Sequence, residues 1–515
     1  MTTLAVTRGR DLGAPLYDRV DVVVVGSGAG GAVAAQKLAR AGHKVCVLEE
    51  GGYYAPEEYG AWPPTHTLRR MWRESGLGVA VGLGDTPVIS VTTGRCVGGS
   101  SVLTGGVCFR IPDSVLHTWV EQLGLRSMTP EALAPHFEAV EQAVHVEEVP
   151  VSMRSRATEL FVEGAAKLGI PMKSLRRNTR HCYGASRCNF GCPQGAKQSV
   201  DIAYLPDAVA DGARIVSDAL VESIDHAGGQ ATGVRGRFID HETRKPRVPF
   251  EIRAKVVIIA CGSIHTPVLL RQSGLHGKHV GRGMTLHPAF RVNALFDEAV
   301  EGWDGAMQSV YSDHFHKDGL TLVGVYSPPN VLAAAFPGVG KEHRELAERL
   351  PQMAIFGGMV HDDGGGSVRR WLGREPVTTY RMVERDKKRL FFGMQTVAKM
   401  AFAAGARQVI LPIFGTMPFK SASEVEFLTS SPPAGRLAEC MAFHPLGSAR
   451  MGASEGDGVV GPTGEVWTVS NLFVCDGSVL PTSIGVNSQL PVMAVADKIA
   501  TGICDDWSRL AGRAR

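Results

Sequence analysis

The sequence predicts an α/β fold, α+β over its whole length, that opens on a dinucleotide-binding strand–helix–strand unit. Three observations carry this expectation. A turn of the form G-x-G-x-x-G follows an apolar run near the N-terminus. An acidic residue lies at the right distance beyond it. The length of 515 residues then asks for two large domains or one interleaved pair rather than a single core. Apolar residues make up 44% and charged residues 20%, the balance of an ordinary globular protein. A net charge of +3 with no basic block argues against nucleic acid as a partner.

The stretch VDVVVVGSGAGGAVAAQKLARAGHKVCVLEEGG begins at Val20. Val20 to Val25 is a β-branched run interrupted only by Asp21, as expected of a strand buried on both faces. Gly26, Gly28 and Gly31 permit a tight turn, the approach of a pyrophosphate and close helix–strand packing. The helix expected over Ala32 to Ala41 presents a partially positive N-terminus to phosphate. A second strand, Lys44 to Leu48, ends at Glu49 and Glu50, where a carboxylate can accept hydrogen bonds from a ribose hydroxyl. By itself this unit does not separate FAD from NAD.

No long apolar run and no paired arginines open the chain, so neither a secretion signal nor a transmembrane helix is expected. Ten cysteines scattered over this length do not suggest a disulfide framework, and a cytoplasmic protein is the default. Export with a partner subunit remains compatible with the sequence.

Four more stretches follow in order: GRCVGGSSVLTGG (Gly94 to Gly106), ACGSIHTPVLLRQSGL (Ala260 to Leu275), HPLGSARMG (His444 to Gly452) and DGSVLPTSIGVNSQLPVMAVADKIA (Asp476 to Ala500). With the N-terminal motif they resemble the glucose–methanol–choline (GMC) oxidoreductases over nearly the whole chain. The resemblance implies FAD, held by a domain interleaved with a substrate domain of mostly antiparallel sheet and flanking helices. The expected division is 18–110, 200–291 and 440–515 for FAD, with 111–199 and 292–439 for substrate. Gly98, Gly99 and Ser100 offer backbone N–H groups and a hydroxyl suited to a pyrophosphate or a flavin edge. The resemblance adds Arg95, Val221, Asp476 and Gly477 to the FAD contacts. Two departures stand out: Thr104 replaces the usual Asn, and Cys108 the usual Tyr. Leu103 occupies the position where some members attach FAD through His, so noncovalent FAD is expected.

His444 lies in a loop fixed by Pro445 and Gly447. In the resemblance it is the general base that removes the hydroxyl proton as hydride leaves for flavin N5, and imidazole is suited to that task near neutral pH. Asn487 matches the partner position that binds the substrate oxygen, and it also touches the cofactor. An amide there can stabilise alkoxide character without competing for the proton. Ser488 replaces the more usual Pro.

Of the intervening segments, Val292 to Phe296, Thr321 to Tyr326 and Met353 to Met359 read as strands. Lys387 to Ala404 reads as a helix capped by Gly405, and Asp362 to Gly366 as a mobile loop. Cys182, Cys188 and Cys192 form C-x5-C-x3-C-P. This spacing is similar to that of bacterial FAD-dependent sugar dehydrogenases, where three cysteines hold a [3Fe–4S] cluster. The same loop also resembles that of long-chain alcohol oxidases, in which the thiols only pack. Zinc with His181 is a third reading. The other cysteines read as small buried residues.

The function expected is FAD-dependent oxidation of an alcohol or sugar hydroxyl to a carbonyl, with a quinone, a cytochrome or dioxygen as acceptor and a small or electron-transfer subunit as a partner. A dioxygen-using alcohol oxidase and a non-redox lyase or isomerase on the same scaffold are the alternatives.

Overall fold

The structure, a computed structural model, describes residues 4–324, 332–333, 336–371 and 373–513. The valine run lies in the strand Leu16–Val25, at the centre of an eight-stranded sheet. Its parallel neighbours are Val45–Leu48 and Pro246–Ile259, so Val22 to Val25 pair with Val45 to Leu48 on one side and Val256 to Ile259 on the other. All of these residues are buried, as a parallel strand covered by helices on both faces must be. Leu472–Val474 adds a further parallel strand, while Ala219–Ala227 and Gln230–Ile239 form an antiparallel extension.

The first helix, Ala29–Arg40, starts three residues earlier than expected because extended Gly28 already acts as its N-cap. Its early glycines answer to close backbone approach. A Cβ on Gly30 would lie 1.9 Å from the Cys475 carbonyl oxygen, and one on Gly31 would lie 2.1 Å from that of Gly26. The nucleotide turn is thereby clamped against the strand end that delivers Asp476.

The second sheet has twelve strands among the described residues and is mostly antiparallel. The expected strands appear as Ala289–Leu295, Leu320–Gly324 and Met353–Val360, and the helix as Glu384–Ala404 with Gly405 at φ +106. Residues 325–326, the end of one expected strand, lie outside the described residues. The helix covers one sheet face, burying Leu390, Met394 and Val397 against Leu320, Phe290 and Phe356.

Two corrections to the expected organisation follow. The cores do not divide at the expected boundaries: Ile111 to Val144, assigned to the substrate domain, pack Leu116, Trp119 and Phe137 into the nucleotide-domain core. Conversely, Val79–Gly82, Ile89–Val91 and Cys440–Ala442, assigned to the nucleotide domain, are strands of the second sheet. Sequence motifs mark where the chain meets a ligand, whereas core membership follows sheet pairing. Asp362 to Gly366 is not a mobile loop either. Asp362 is buried and accepts hydrogen bonds from the Leu286 and His287 amides and the Tyr380 hydroxyl, and the strand Gly365–Arg370 follows directly.

Gly30→Ala is expected to destabilise the protein by about 1–3 kcal/mol through overpacking. Gly502→Ala, on an open helix face with nothing within 4 Å, should be neutral or stabilising by up to ~1 kcal/mol. Thermal melts of the two variants side by side check this, and equal melting temperatures would reject the clamp.

Candidate active site

A cavity of about 380 Å³ runs between the two sheets, from the glycine turn to the His444 loop. At its nucleotide end Glu49 accepts hydrogen bonds from the Ser27 amide and hydroxyl (3.1 and 2.7 Å) and from the Gly51 amide (2.8 Å). Burial pushes its carboxyl up from the ordinary value. Glu50 behaves oppositely: despite its burial, Arg73 at 2.7 Å and Arg374 at 3.0 Å hold it well below the usual carboxylate range. Asp476 binds the Gly262 amide at 2.9 Å and the Thr266 hydroxyl at 2.5 Å, so it ties the cavity wall to the helix Gly262–Gln272.

The glycine loops meet face to face. A Cβ on Gly99, at φ +55, would come within 2.8 Å of Gly28 Cα. The wall continues through Ser100, Leu103 and Thr104, whose hydroxyl donates to Gln489 Oε1 at 2.7 Å. This Thr–Gln contact fills the place where an Asn was the expected family residue.

At the far end His444 Nε2 and Asn487 Nδ2 lie 3.1 Å apart. With the amide donating, Nε2 carries the lone pair. Desolvation, assisted by neighbouring His287, lowers the His444 pKa to about 3, so the imidazole is neutral near neutral pH. Among the described residues its Nδ1 is buried without a partner, as is Nε2 of His265 farther along the wall. These open valences, the amide- and glycine-lined trough and the paired acids suit a flavin dinucleotide.

One residue that sequence reasoning missed joins the catalytic loops. His287 Nε2 accepts hydrogen bonds from the Ile484 and Gly485 amides at 3.0 and 2.9 Å, while Nδ1 faces the His444 carbonyl at 3.4 Å. Two donors on Nε2 require the neutral Nδ1–H tautomer, and burial lowers the His287 pKa accordingly. His287 sits at φ +51, a conformation that the two amide bonds to Asp362 secure. The dipeptide His287-Pro288, set just before a strand, was the only local signal for it.

Of the expected residues, Gly26, Gly28, Glu49, Gly99, Ser100, Val221, His444, Asp476, Gly477 and Asn487 all line the cavity. Gly31, Gly98 and Arg95 stand behind it. Gly31 packs on the turn and Gly98 donates its amide to the Ser27 hydroxyl. Arg95 is buried 4.0 Å from Glu50 and 3.9 Å from Glu74, and burial lowers its pKa to about 10. Arg73 and Arg374, which the motifs did not single out, reach the wall instead.

The three-cysteine loop does not gather a ligand set. Among the described residues no three His, Cys, Asp or Glu side chains converge to hold a metal ion. Cys188 Sγ instead accepts a hydrogen bond from buried Arg177 at 2.9 Å, which with Lys197 draws the thiol pKa down in spite of burial. Arg177 also donates to the Gly105 carbonyl, and Lys197 to those of Val102, Thr104 and Cys188. The loop is a strap that holds the cofactor-facing segment from behind.

With this geometry in view, comparison with known proteins is direct. The N-terminal GMC oxidoreductase profile matches residues 20–289 and the C-terminal one residues 374–496; the chain belongs to the GMC oxidoreductase family. An uncharacterized GMC-type oxidoreductase of Mycobacterium tuberculosis is 39% identical over 489 residues, 94% of this chain and 76% of that protein. A long-chain-alcohol oxidase of Arabidopsis thaliana is 30% identical over 523 residues, 94% of this chain and 66% of that protein. Pyridoxine 4-oxidase from Mesorbium loti shares the fold, with a TM-score of 0.71 at 19% identity over 94% of this chain and 98% of its own. The protein is an FAD-dependent oxidoreductase acting on CH–OH groups.

The buried histidines set a pH dependence. His265 and His444 are lowered to about 3 and His361 to about 2, whereas the unfolded chain protonates near ~6.5. The unfolded state binds protons first, so the stability that these residues contribute is full above ~6.5 and is lost as pH falls toward 3. The melting temperature is expected to drop across that window while kcat/KM of the surviving enzyme shows no His444 protonation limb near 6.5. An acid limb at that pH with an unchanged melting temperature would contradict the assigned environment.

Proposed function

We propose that the protein oxidises an alcohol with an apolar body to its carbonyl, with His444 as the base and Asn487 as the oxygen-binding partner. The observation that carries this reading is the 3.1 Å His444–Asn487 pair on the wall of the cofactor cavity. Bound FAD supplies the acceptor for the two electrons that leave the alcohol carbon. Neutral His444 takes the hydroxyl proton at Nε2, and the Asn487 amide donates to the oxygen as it gains negative charge.

The wall beyond this pair favours an apolar substrate: the side chains of Val107, Val323, Met359, Met441 and Phe443 line it. The one arginine on that side, Arg291, is engaged by Glu439 at 3.2 Å, which leaves little charge for a carboxylate or phosphate. Likeness to a long-chain-alcohol oxidase supports the same substrate class and makes dioxygen the first acceptor to test. FAD is proposed as noncovalent, since Leu103 offers no nucleophile, and as the only redox group. The Cys188–Arg177 contact supports thiols that brace the loop rather than hold a [3Fe–4S] cluster.

Anaerobic mixing with a long-chain primary alcohol is expected to bleach the flavin, and admitting air should restore its colour with formation of hydrogen peroxide. A flavin that stays oxidised while the substrate is consumed would point to the lyase alternative. His444→Ala should lower kcat/KM by roughly 10² or more with FAD retained; unchanged turnover would remove His444 as the base. Iron and acid-labile sulfide assayed on anaerobically purified protein should be negligible relative to flavin, and about three irons per flavin would restore the cluster.

A further inference from the structure

The sheet face that walls the cavity continues beyond it. Directly paired residues on neighbouring strands present their side chains to the same face. Pairing runs from Met359 to Ala289, Met441, Ser90 and Val79 in unbroken register. Met359, Ala289 and Met441 line the cavity. Val79 lies two strands farther on, about 10 Å away, and is 48% exposed. Val81 and Val88 follow on the same face at alternate positions, and Thr379, the partner of Val81, brings in Val377 two residues earlier. These valines and the neighbouring Trp371 are all exposed.

The charge on this part of the sheet is net basic, with exposed Glu375 in the turn before Pro376–Arg381 as the acidic exception. The strands Val79–Gly82, Ile89–Val91, Gly365–Arg370 and Pro376–Arg381 contain no carboxylate. They carry exposed Arg369 and Arg381 on the valine face and exposed Arg370 on the other. Arg374 and Arg385 nearby are ion-paired to Glu50 and Asp363, but these three arginines have no such partner among the described residues.

We propose that this face docks on an anionic phospholipid bilayer, with the valines against the acyl boundary and the arginines among the headgroups. An apolar centre flanked by basic residues, with tryptophan at its edge, has the chemistry of an interfacial membrane contact. A second copy packed on the same face about a two-fold axis would set a net basic patch against itself. Attachment is peripheral, since among the described residues no helix is long and apolar enough to cross a membrane. Continuity with the cavity wall gives an apolar substrate a path from lipid to His444. The docking itself does not rest on the identity of that substrate.

Flotation of the holoenzyme with vesicles, in the absence of any alcohol, tests the interface separately from the reaction. Binding is expected to vesicles of phosphatidylcholine mixed with phosphatidylglycerol and to weaken in high salt, with little binding to phosphatidylcholine alone. The double variant Val81→Glu/Val377→Glu should lose binding by roughly tenfold, with flavin content and melting temperature unchanged. Arg369→Glu/Arg381→Glu should remove the preference for the anionic lipid. Failure of the parent enzyme to float with anionic vesicles, or equal flotation of the valine variant, would overturn the proposal. So would a dimer, seen by light scattering, that the valine variant converts to monomer, because the face would then belong to a second copy.

Discussion

The neutral imidazole of His287 is the contact on which the site depends. It accepts two backbone N–H groups from the loop that carries Asn487 and faces the carbonyl of His444. His444 and Asn487 come from separate turns, 43 residues apart, and neither turn has regular structure to fix its position. A buried ring that binds both converts them into one rigid unit, and Asp362 secures the ring's strained backbone in turn. Burial also keeps this imidazole neutral, the one state in which Nε2 can accept twice.

Charge is managed along the cavity by the same principle, with each buried ion given a specific partner. Glu50 is held ionised by two arginines, whereas Glu49 is surrounded by amides and a hydroxyl and is raised by burial. Behind the Val102–Gly105 segment, Lys197 donates to three backbone carbonyls and Arg177 to one, while Cys188 supplies soft negative character beside them. Placing cations there stiffens a glycine-rich stretch whose own backbone has little conformational restraint. The outer sheet face lacks this pairing: its arginines remain exposed beside apolar side chains.

Much of the nucleotide domain was legible because its determinants are local. A β-branched run, a glycine turn and an acid at fixed spacing specify strand, turn and helix and the order of the cavity end without reference to distant residues. The 1.9 Å conflict at Gly30 shows why glycine stands there, although the Cys475 carbonyl responsible is more than four hundred residues away. His444 and Asn487 were visible through motif context, and the structure sets them side by side. Spacing left the cysteine loop open between a ligand set and plain packing, because the orientation of Cys188 depends on Arg177, a residue unremarkable in sequence. Asp362 was read as part of a mobile loop because a run of acid and glycine is usually solvated; three buried donors override that tendency.

By itself, then, the sequence determined the class of the nucleotide fold and marked the glycine trough and the two loops that carry His444 and Asn487, since each is encoded within a few residues and by side-chain chemistry. Tertiary structure alone decided which segments share a core, that His287 couples the catalytic loops, that Arg73 and Arg374 rather than Arg95 reach the cavity, and that exposed valines continue its wall. These features arise from pairing between strands remote in the chain. Sheet register places such residues on a common face, and no local pattern carries that register.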